Sequence, residues 1–182
     1  QDKSHFRFVL HKEKTVTFAK IGLMSIGEMG FHWAKLLKAH GLEVLTYDKD
    51  RAEVSRKRGE NAGVKSVASM SDLVSEAELI VSIVVPSAAI DVAKKVAEAV
   101  KTAGRQNLIF LDANAISPMT AEEIAKNLQP AGVSFVDGCI IGSAARMGKG
   151  TIVYVSGPEA KRMQVLEKFN IPVKVLGAST SQ

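Results

Sequence analysis

Short apolar runs alternate with amphipathic stretches along most of this chain, from residue 16 onwards. Runs rich in Val, Ile and Leu are typical of strands covered on both faces, and apolar residues spaced three or four apart are typical of helices. The pattern predicts strands at residues 17–24, 43–47, 64–67, 79–84, 108–111, 134–136, 152–156 and 173–176. It predicts helices between them, at residues 29–39, 51–58, 71–75, 88–103, 118–128 and 158–168.

The ends of these helices carry residues that favour helix termination. Ser71 and Ser117 have capping-type side chains ahead of two of the helices. Gly41, Gly59 and Gly104 follow the ends of three helices, where a left-handed residue is favoured. Strands that alternate with helices through short connections predict an α/β fold with a doubly wound, mostly parallel sheet and helices on both faces. We expect one domain over residues 16–177, an irregular arm at 1–15 and a tail at 178–182.

Composition excludes several other classes of protein. Of the 182 residues, 46% are hydrophobic and 24% are charged, which is ordinary for a globular protein and unlike a disordered one. The single cysteine, Cys139, excludes internal disulfides and a cysteine-rich zinc site, and the histidines share no ligand spacing. No apolar run has membrane-spanning length, and the start lacks a secretory pattern, so we expect a cytoplasmic protein with no membrane partner and no metal.

The net charge of +5 is concentrated at the start of the chain. The first 20 residues hold five basic and two acidic residues, a surplus of three, so the other 162 residues carry only +2. A basic arm on a near-neutral domain differs from the basic groove with interleaved aromatic residues that binds nucleic acid. We therefore expect a small-molecule substrate and no nucleic-acid partner.

The loop between the first strand and the first helix reads SIGEMG at residues 25–30. In a G-x-G-x-x-G loop the middle glycine, here Gly27, lets backbone N–H groups approach a pyrophosphate, and the third, Gly30, lets helix and strand pack closely. The helix N-terminus adds a partial positive charge. Ser25 replaces the first glycine, at a cost of roughly 1 kcal/mol if the turn is left-handed. The predicted pyrophosphate-binding residues are Ser25, Ile26, Gly27, Glu28, Met29 and Gly30.

An acidic residue at the tip of the second strand supports this interpretation. Asp48 lies about twenty residues beyond the glycines, where a carboxylate accepts hydrogen bonds from the adenosine ribose and repels a 2′-phosphate. The alternative is that Asp48 only caps the following helix. Nearby Lys49 and Arg51 weaken the discrimination. The sequence therefore predicts a Rossmann-type domain that binds NAD, with NADP less favoured.

Five motifs in order resemble those of the β-hydroxyacid dehydrogenase superfamily, which contains 3-hydroxyisobutyrate dehydrogenases and 6-phosphogluconate dehydrogenases. The resemblance extends from about Ala19 to Gly177. The motifs are GEMG at residues 27–30, YD at 47–48, VVP at 84–86, DANAISP at 112–118 and DGCIIG at 137–142.

The resemblance implies further site residues. Val85 and Pro86 would lie against the nicotinamide half of the cofactor, and Asn114 occupies the position of a small polar residue near the nicotinamide. Residues 137–142 correspond to the family's glycine-rich substrate loop, where Ile141 replaces a serine that binds the substrate carboxylate. The candidate substrate residues are Ser117, Gly142 and Ser143.

The family's catalytic lysine would lie on a helix beyond the segment that matches residues 173–177, followed by a helical second domain. Neither is present here, and Lys174 is expected in a strand, so we identify no catalytic residue. The face that would dock the second domain is expected to be apolar and covered by a second copy or a partner chain.

Two functions remain as hypotheses. One is an NAD(P)-dependent oxidoreductase related to 3-hydroxyisobutyrate dehydrogenase, present mainly as its cofactor-binding domain and acting on a small hydroxy-acid or imine-type substrate. The alternative is a catalytically silent NAD-binding module that acts through a partner chain. A methyltransferase also uses a glycine loop and a second-strand acid, but Pro86 and residues 112–118 favour the dehydrogenase pattern.

Overall fold

One sheet of eight strands forms the centre of the structure, a computed structural model that describes residues 17–49 and 51–179. The strand order is β3-β2-β1-β4-β5-β6-β7-β8. Strands β1 to β6 are parallel, β7 is antiparallel to β6, and β8 is parallel to β7. The strands are β1 Lys20–Met24, β2 Glu43–Thr46, β3 Lys65–Ser66, β4 Leu79–Ser82, β5 Ile109–Asp112, β6 Ser134–Ile141, β7 Ile152–Ser156 and β8 Val173–Gly177. The predicted arm, residues 1–15, and residues 180–182 of the predicted tail lie outside the described residues.

Helices cover both faces of this sheet. The α-helices are α1 Glu28–Ala39, α2 Glu53–Asn61, α3 Met70–Glu76, α4 Ala89–Ala103 and α5 Pro118–Leu128. Segments of 3-10 helix are Pro86–Ala88, Gln129–Ala131, Ala144–Arg146 and Ala160–Phe169. Because the chain passes from β3 at one edge to β4 in the middle of the sheet, it winds in both directions from β1. The predicted doubly wound, mostly parallel α/β fold is confirmed.

Alternation along the strands divides the core into two layers. Val81, Leu111 and Val136 belong to the layer that contains Trp33 and Leu37 of α1, and we call this side of the sheet the α1 face. Their strand neighbours Ile80, Phe110 and Phe135 point the other way, into the layer formed with α3, α4 and α5, which we call the α5 face. Burial on both faces explains why these strands read as continuous apolar runs.

Two elements differ in kind from the prediction. Strand β6 continues from Ser134 to Ile141, so most of the predicted substrate loop at 137–142 is extended strand paired with β7. The predicted helix at 158–168 is a 3-10 helix. Its buried residues are Ala160, Met163, Val165 and Leu166, and Phe169 packs partly against the same core.

The helix ends follow capping chemistry with two corrections. Ser117 caps α5 as predicted, because its hydroxyl accepts a hydrogen bond from the Thr120 N–H at 3.2 Å. Ser69, not Ser71, caps α3, and accepts from the Asp72 N–H at 3.1 Å. Gly59 lies inside α2 rather than after it, since the helix runs on to Asn61.

The order of the strands places a crevice at the carboxyl ends of β1 and β4. The connections from these neighbouring strands leave toward opposite faces, to α1 and to α4. In doubly wound sheets, ligands bind in the crevice where this divergence occurs. The turn at Ser25 therefore lies at the position that the topology reserves for a ligand.

Ser25 adopts a left-handed backbone conformation, with a φ of 83°. A side chain with a Cβ atom is strained at this φ, and glycine is not. We therefore expect Ser25→Gly to be more stable than Ser25→Ala by roughly 1 kcal/mol in the free energy of unfolding, because only glycine removes the Cβ. Urea denaturation of both variants measures the difference. A Ser25→Gly protein no more stable than Ser25→Ala would show that the turn is unstrained.

Candidate functional site

The N-terminus of α1 is open toward the crevice. Gly27 is the N-cap residue and supplies no side-chain hydrogen bond, and the first bond of the helix runs from the Phe31 N–H to the Gly27 carbonyl at 2.9 Å. The N–H groups that follow Gly27 at the start of a helix have no acceptor within the helix. Such groups, together with the helix dipole, are suited to bind a phosphate.

Gly27 and Gly30 lack side chains for different reasons. A Cβ at Gly30 would lie 2.7 Å from the carbonyl oxygen of Ser25, so the close packing of α1 on the turn requires glycine there. A Cβ at Gly27 would meet no described atom within 4 Å, and the backbone is extended, with a φ of −72° and a ψ of −166°. The fold does not require glycine at position 27. The predicted approach of a pyrophosphate to the loop would require it.

The other residues of the loop contribute backbone rather than side chains. Ile26 is buried in the core, and its carbonyl accepts a hydrogen bond from the Ser55 hydroxyl at 3.2 Å. Met29 packs against the same core, and Glu28 is exposed. The loop is therefore held by the core packing of Ile26 and Met29 and by the hydrogen bond from Ser55.

Asp48 lies just beyond β2 and is held by a neighbouring strand. The Ser66 hydroxyl donates a hydrogen bond to Oδ1 of Asp48 at 2.5 Å. The alternative role predicted for Asp48, capping of the next helix, is wrong, because the N-cap residue of α2 is Ala52. One carboxylate oxygen is thus fixed by Ser66 and the other remains to accept a bond from a ligand.

Asn114 joins the ends of β4 and β5. Its Oδ1 accepts a hydrogen bond from the Val84 N–H at 2.8 Å, and its Nδ2 donates to both carboxylate oxygens of Asp112, at 3.0 and 2.9 Å. The side chain is buried and occupied, so it positions the segment that carries Val85 and Pro86. Val85 itself is 65% exposed at the crevice. The predicted contacts of Val85, Pro86 and Asn114 with a nicotinamide remain predictions.

A row of polar side chains crosses the α5 face, which sequence analysis missed. Ser82, Asp112, Asp137 and Ser156 occupy paired positions on the neighbouring strands β4, β5, β6 and β7. Burial raises the pKa of Asp112 to about 6, although hydrogen bonds from Asn114 oppose this. Burial, followed by the adjacent Asp112 carboxylate, raises the pKa of Asp137 to about 6. The sequence contains one signal for this row, because an apolar run precedes each of these four polar residues.

A cavity of about 300 Å³ opens where this row reaches β6 and β7. Its lining includes Asn114, Ile116, Asp137, Cys139, Tyr154 and Ser156. Burial, followed by the Asp137 carboxylate, raises the pKa of the Cys139 thiol, which keeps it protonated and makes it a poor nucleophile.

The three predicted substrate residues lie outside the lining of this cavity. The Ser117 hydroxyl is committed to the cap of α5. Gly142, with a φ of 133°, begins the β6–β7 connection, and the Ser143 carbonyl accepts a hydrogen bond from the Thr151 hydroxyl at 2.7 Å. Ile141 is 58% exposed at the end of β6. A substrate role for Ser117, Gly142 and Ser143 remains a prediction.

Within residues 17–49 and 51–179, no group of three or more His, Cys, Asp or Glu is arranged to hold a metal ion. In the same part of the chain, no helix has both the length and the apolar character needed to cross a membrane.

The contribution of Asp112 and Asp137 to the free energy of unfolding should depend on pH. Both carboxyls titrate near 3.8 in the unfolded chain and at about 6 in the fold, so the folded protein holds more protons between these values. The pair therefore lowers the free energy of unfolding as the pH rises through this window. We expect Asp137→Asn to melt above the unmodified protein at about pH 8 and to lose this advantage at about pH 4, whereas Glu122→Gln should not. A pH-independent difference would contradict the assignment.

Comparison with known proteins identifies a family and several relatives of this chain. Residues 20–173 match the family described as the NAD binding domain of 6-phosphogluconate dehydrogenase. An uncharacterised 28.5 kDa protein of Methanothermus fervidus is 34% identical over 90% of this chain and 60% of its own length. The mitochondrial 3-hydroxyisobutyrate dehydrogenase of Bos taurus is 26% identical over 88% of this chain and 46% of its own length. The chain thus spans about half the length of these relatives.

Solved structures share the same fold. A conserved protein of unknown function, described as structurally similar to 3-hydroxyacid dehydrogenases, superposes with a TM-score of 0.78 at 27% identity, over 88% of this chain and 58% of that one. Two more distant structures show the fold alone. An imine reductase of Myxococcus stipitatus in complex with NAD⁺ has a TM-score of 0.70 at 16% identity, over 90% of this chain and 55% of that one. A reductive aminase of Aspergillus terreus in complex with NADPH has a TM-score of 0.73 at 17% identity, over 91% and 57%.

The family match covers most of the strands and helices, and it includes the turn at Ser25, the two glycines of α1 and the acid after β2. The doubly wound sheet and the glycine-containing turn between β1 and α1 agree with that match. The chain belongs to the family of the NAD binding domain of 6-phosphogluconate dehydrogenase.

Proposed function

We propose that the chain is the cofactor-binding part of an NAD(P)-dependent oxidoreductase related to 3-hydroxyisobutyrate dehydrogenase, and that it prefers NAD. The observation that carries this proposal is the empty space above Gly27, next to the open N-terminus of α1. Backbone N–H groups with no side chain in front of them suit a pyrophosphate. When bound, the nicotinamide transfers a hydride to or from a substrate carbon, and the protein supplies binding and orientation.

Different residues of the crevice would contact different parts of the cofactor. The loop at 25–30 would hold the pyrophosphate through its N–H groups, and Asp48 would accept hydrogen bonds from the adenosine ribose. Val85 and Pro86 would lie against the nicotinamide, on a segment that Asn114 holds in place. This arrangement supports a cofactor that extends along the carboxyl ends of β2, β1 and β4.

The preference for NAD rests on the Asp48 carboxylate and its partner. A 2′-phosphate next to this carboxylate would be repelled, and Ser66 prevents the carboxylate from rotating away. The solved structures with the same fold include one with NAD⁺ and one with NADPH, so fold alone does not choose between the two cofactors.

A silent NAD-binding module remains the second candidate. The observation in its favour is that, among the described residues, the lining of the cavity beside Asn114 includes no lysine that could transfer a proton. In that case the chain would bind the cofactor and rely on a partner chain for any reaction.

The first experiment replaces Gly27. Gly27→Val should weaken NADH binding by at least about 100-fold, because its side chain occupies the space that the pyrophosphate needs. Its melting temperature should stay close to that of the unmodified protein, since no described atom lies within 4 Å of the new Cβ. Energy transfer to NADH from Trp33, the only tryptophan, measures binding. Gly59→Ala, inside α2, is the control, and its NADH affinity should not change. Retained binding in folded Gly27→Val would overturn the proposal.

The second experiment measures cofactor preference. The unmodified protein should bind NADH at least about tenfold more tightly than NADPH, and Asp48→Ala should narrow this ratio. Ser66→Ala should narrow it by a smaller factor, because it frees the carboxylate without removing it. Glu122→Gln, which removes an exposed charge on α5, should leave the ratio unchanged. Equal affinities for the two cofactors in the unmodified protein would refute the role of Asp48.

A further inference from the structure

The α5 face of the sheet is open over its last two strands. Helix α5 packs against β6, but on this face Tyr154 of β7 is half-buried, and Lys174 and Leu176 of β8 are exposed. Ile141 at the end of β6 is 58% exposed and Leu176 of β8 is 50% exposed. The cavity that contains Asp137 and Ser156 lies at the boundary between the part covered by α5 and the open part.

The cavity is acidic and its lining has no basic side chain. Asp137 lines it, and Asp112 stands directly beside Asp137 on the next strand. Among the described residues of the open face, Lys174 carries the positive charge closest in the strand register, and its ammonium lies over the Tyr154 ring, 5.8 Å from the centroid. Within the lining, a carboxylate ligand would therefore meet the Asp137 carboxylate and no cation.

Ser156 is a second and independent indication of a ligand. It is 3% exposed, lines the cavity, and lies on the same face as its register partner Asp137. Its hydroxyl makes no hydrogen bond to any side chain or backbone group in the described part of the chain. The Ser156 hydroxyl lines the cavity and is not among the fully buried side-chain atoms without a partner, so a polar group that enters the cavity can bond to it in place of water.

Asn114, the other polar group at this end of the cavity, offers no donor. Its amide hydrogens are directed to Asp112 and its oxygen accepts the Val84 N–H. The side-chain groups that a ligand can reach in this lining are the Asp137 carboxylate, the hydroxyls of Ser156 and Tyr154 and the Cys139 thiol, and the carboxylate is the strongest acceptor among them. Apolar atoms of Ile116 and Leu176 are also part of the lining.

We propose that this cavity binds the protonated nitrogen of a small alkyl amine, held by the Asp137 carboxylate and the Ser156 hydroxyl. An ammonium group supplies several N–H donors and a positive charge, which match two acceptors beside an acid pair. The alkyl part lies against Ile116 and Leu176. This inference rests on the proposed function, and it makes the substrate class an amine or imine rather than a hydroxy acid.

The test compares three ligands with one carbon skeleton: isobutylamine, isobutyrate and isobutanol. Each is titrated into the uniformly ¹⁵N-labelled protein at about pH 7.5, above the pKa of about 6 at Asp137, so that the carboxyl is ionised. Isobutylamine should shift the amide signals of Gly138, Cys139 and Ser156 to saturation in the millimolar range. Isobutyrate or isobutanol that binds there as well as the amine would overturn the proposal, and so would the absence of saturable shifts with the amine.

Variants assign the effect to the cavity. Asp137→Asn should weaken isobutylamine binding by at least about tenfold, and Ser156→Ala by about threefold. Glu122→Gln removes an acid from the surface of α5 and should leave the affinity unchanged. The amide spectra report whether each variant is folded. Unchanged amine affinity in folded Asp137→Asn would refute the site.

Cofactor binding is measured on the same proteins so that the two proposals fail separately. Asp137→Asn should bind NADH as tightly as the unmodified protein, because Asp137 lies on β6, away from the loop at 25–30. Loss of NADH binding in the unmodified protein would refute the proposed function while the amine titration could still succeed. Normal NADH binding without amine binding would refute only the amine site.

Discussion

The close packing of α1 against the turn that follows β1 is the constraint on which the site depends. Gly30 lies so near the Ser25 carbonyl that a Cβ would approach the oxygen to 2.7 Å. In the same turn Ser25 adopts a left-handed conformation, and the chain passes directly from β1 to α1. The N-terminus of α1 is consequently held at the crevice between β1 and β4, with its N–H groups facing out. The strain at Ser25 fits the general observation that unusual backbone conformations persist where the surrounding structure fixes them.

The two halves of the sheet present different chemical groups. At β1 and β2 the groups that face the crevice are backbone N–H donors and one carboxylate, a combination that suits pyrophosphate and ribose. From β4 to β7 the polar groups are carboxyls and hydroxyls, arranged in register across the α5 face. Asn114 lies between the two halves, because it bonds to the end of β4 and to Asp112. The Asn114 side chain thus connects the segment at Val85 to Asp112 in the row of polar side chains on the α5 face.

Sequence analysis predicted much of this arrangement, and the exceptions have physical causes. Continuous apolar runs and capping residues located all eight strands and the helix that Ser117 begins. Strand β6 was predicted too short because residues 137–142 hold an acid and two glycines, which resemble a loop locally. Pairing of Cys139 with Tyr154 across the sheet keeps the segment extended, and such a long-range contact leaves no local pattern.

Side-chain direction was harder to predict than position. Asn114 was placed at the cofactor, yet its amide is turned inward by the buried Asp112 carboxylate and the Val84 N–H. The row of polar side chains on the α5 face depends on the register of four strands, and the order of the residues alone does not reveal that register. The apolar side chains at 160, 163, 165, 166 and 169 fit a helix of either kind, so the sequence predicts a helix here but not its 3-10 form.

The most direct test of this account is the map of amide signals that shift when NAD⁺ binds to the ¹⁵N-labelled chain. The account predicts that the largest shifts lie at Gly27, Glu28, Met29 and Gly30, with a second group at Asp48 and Val85. Saturable binding that leaves residues 27–30 unaffected, or no binding at all, would contradict the claim that the open N-terminus of α1 holds a dinucleotide.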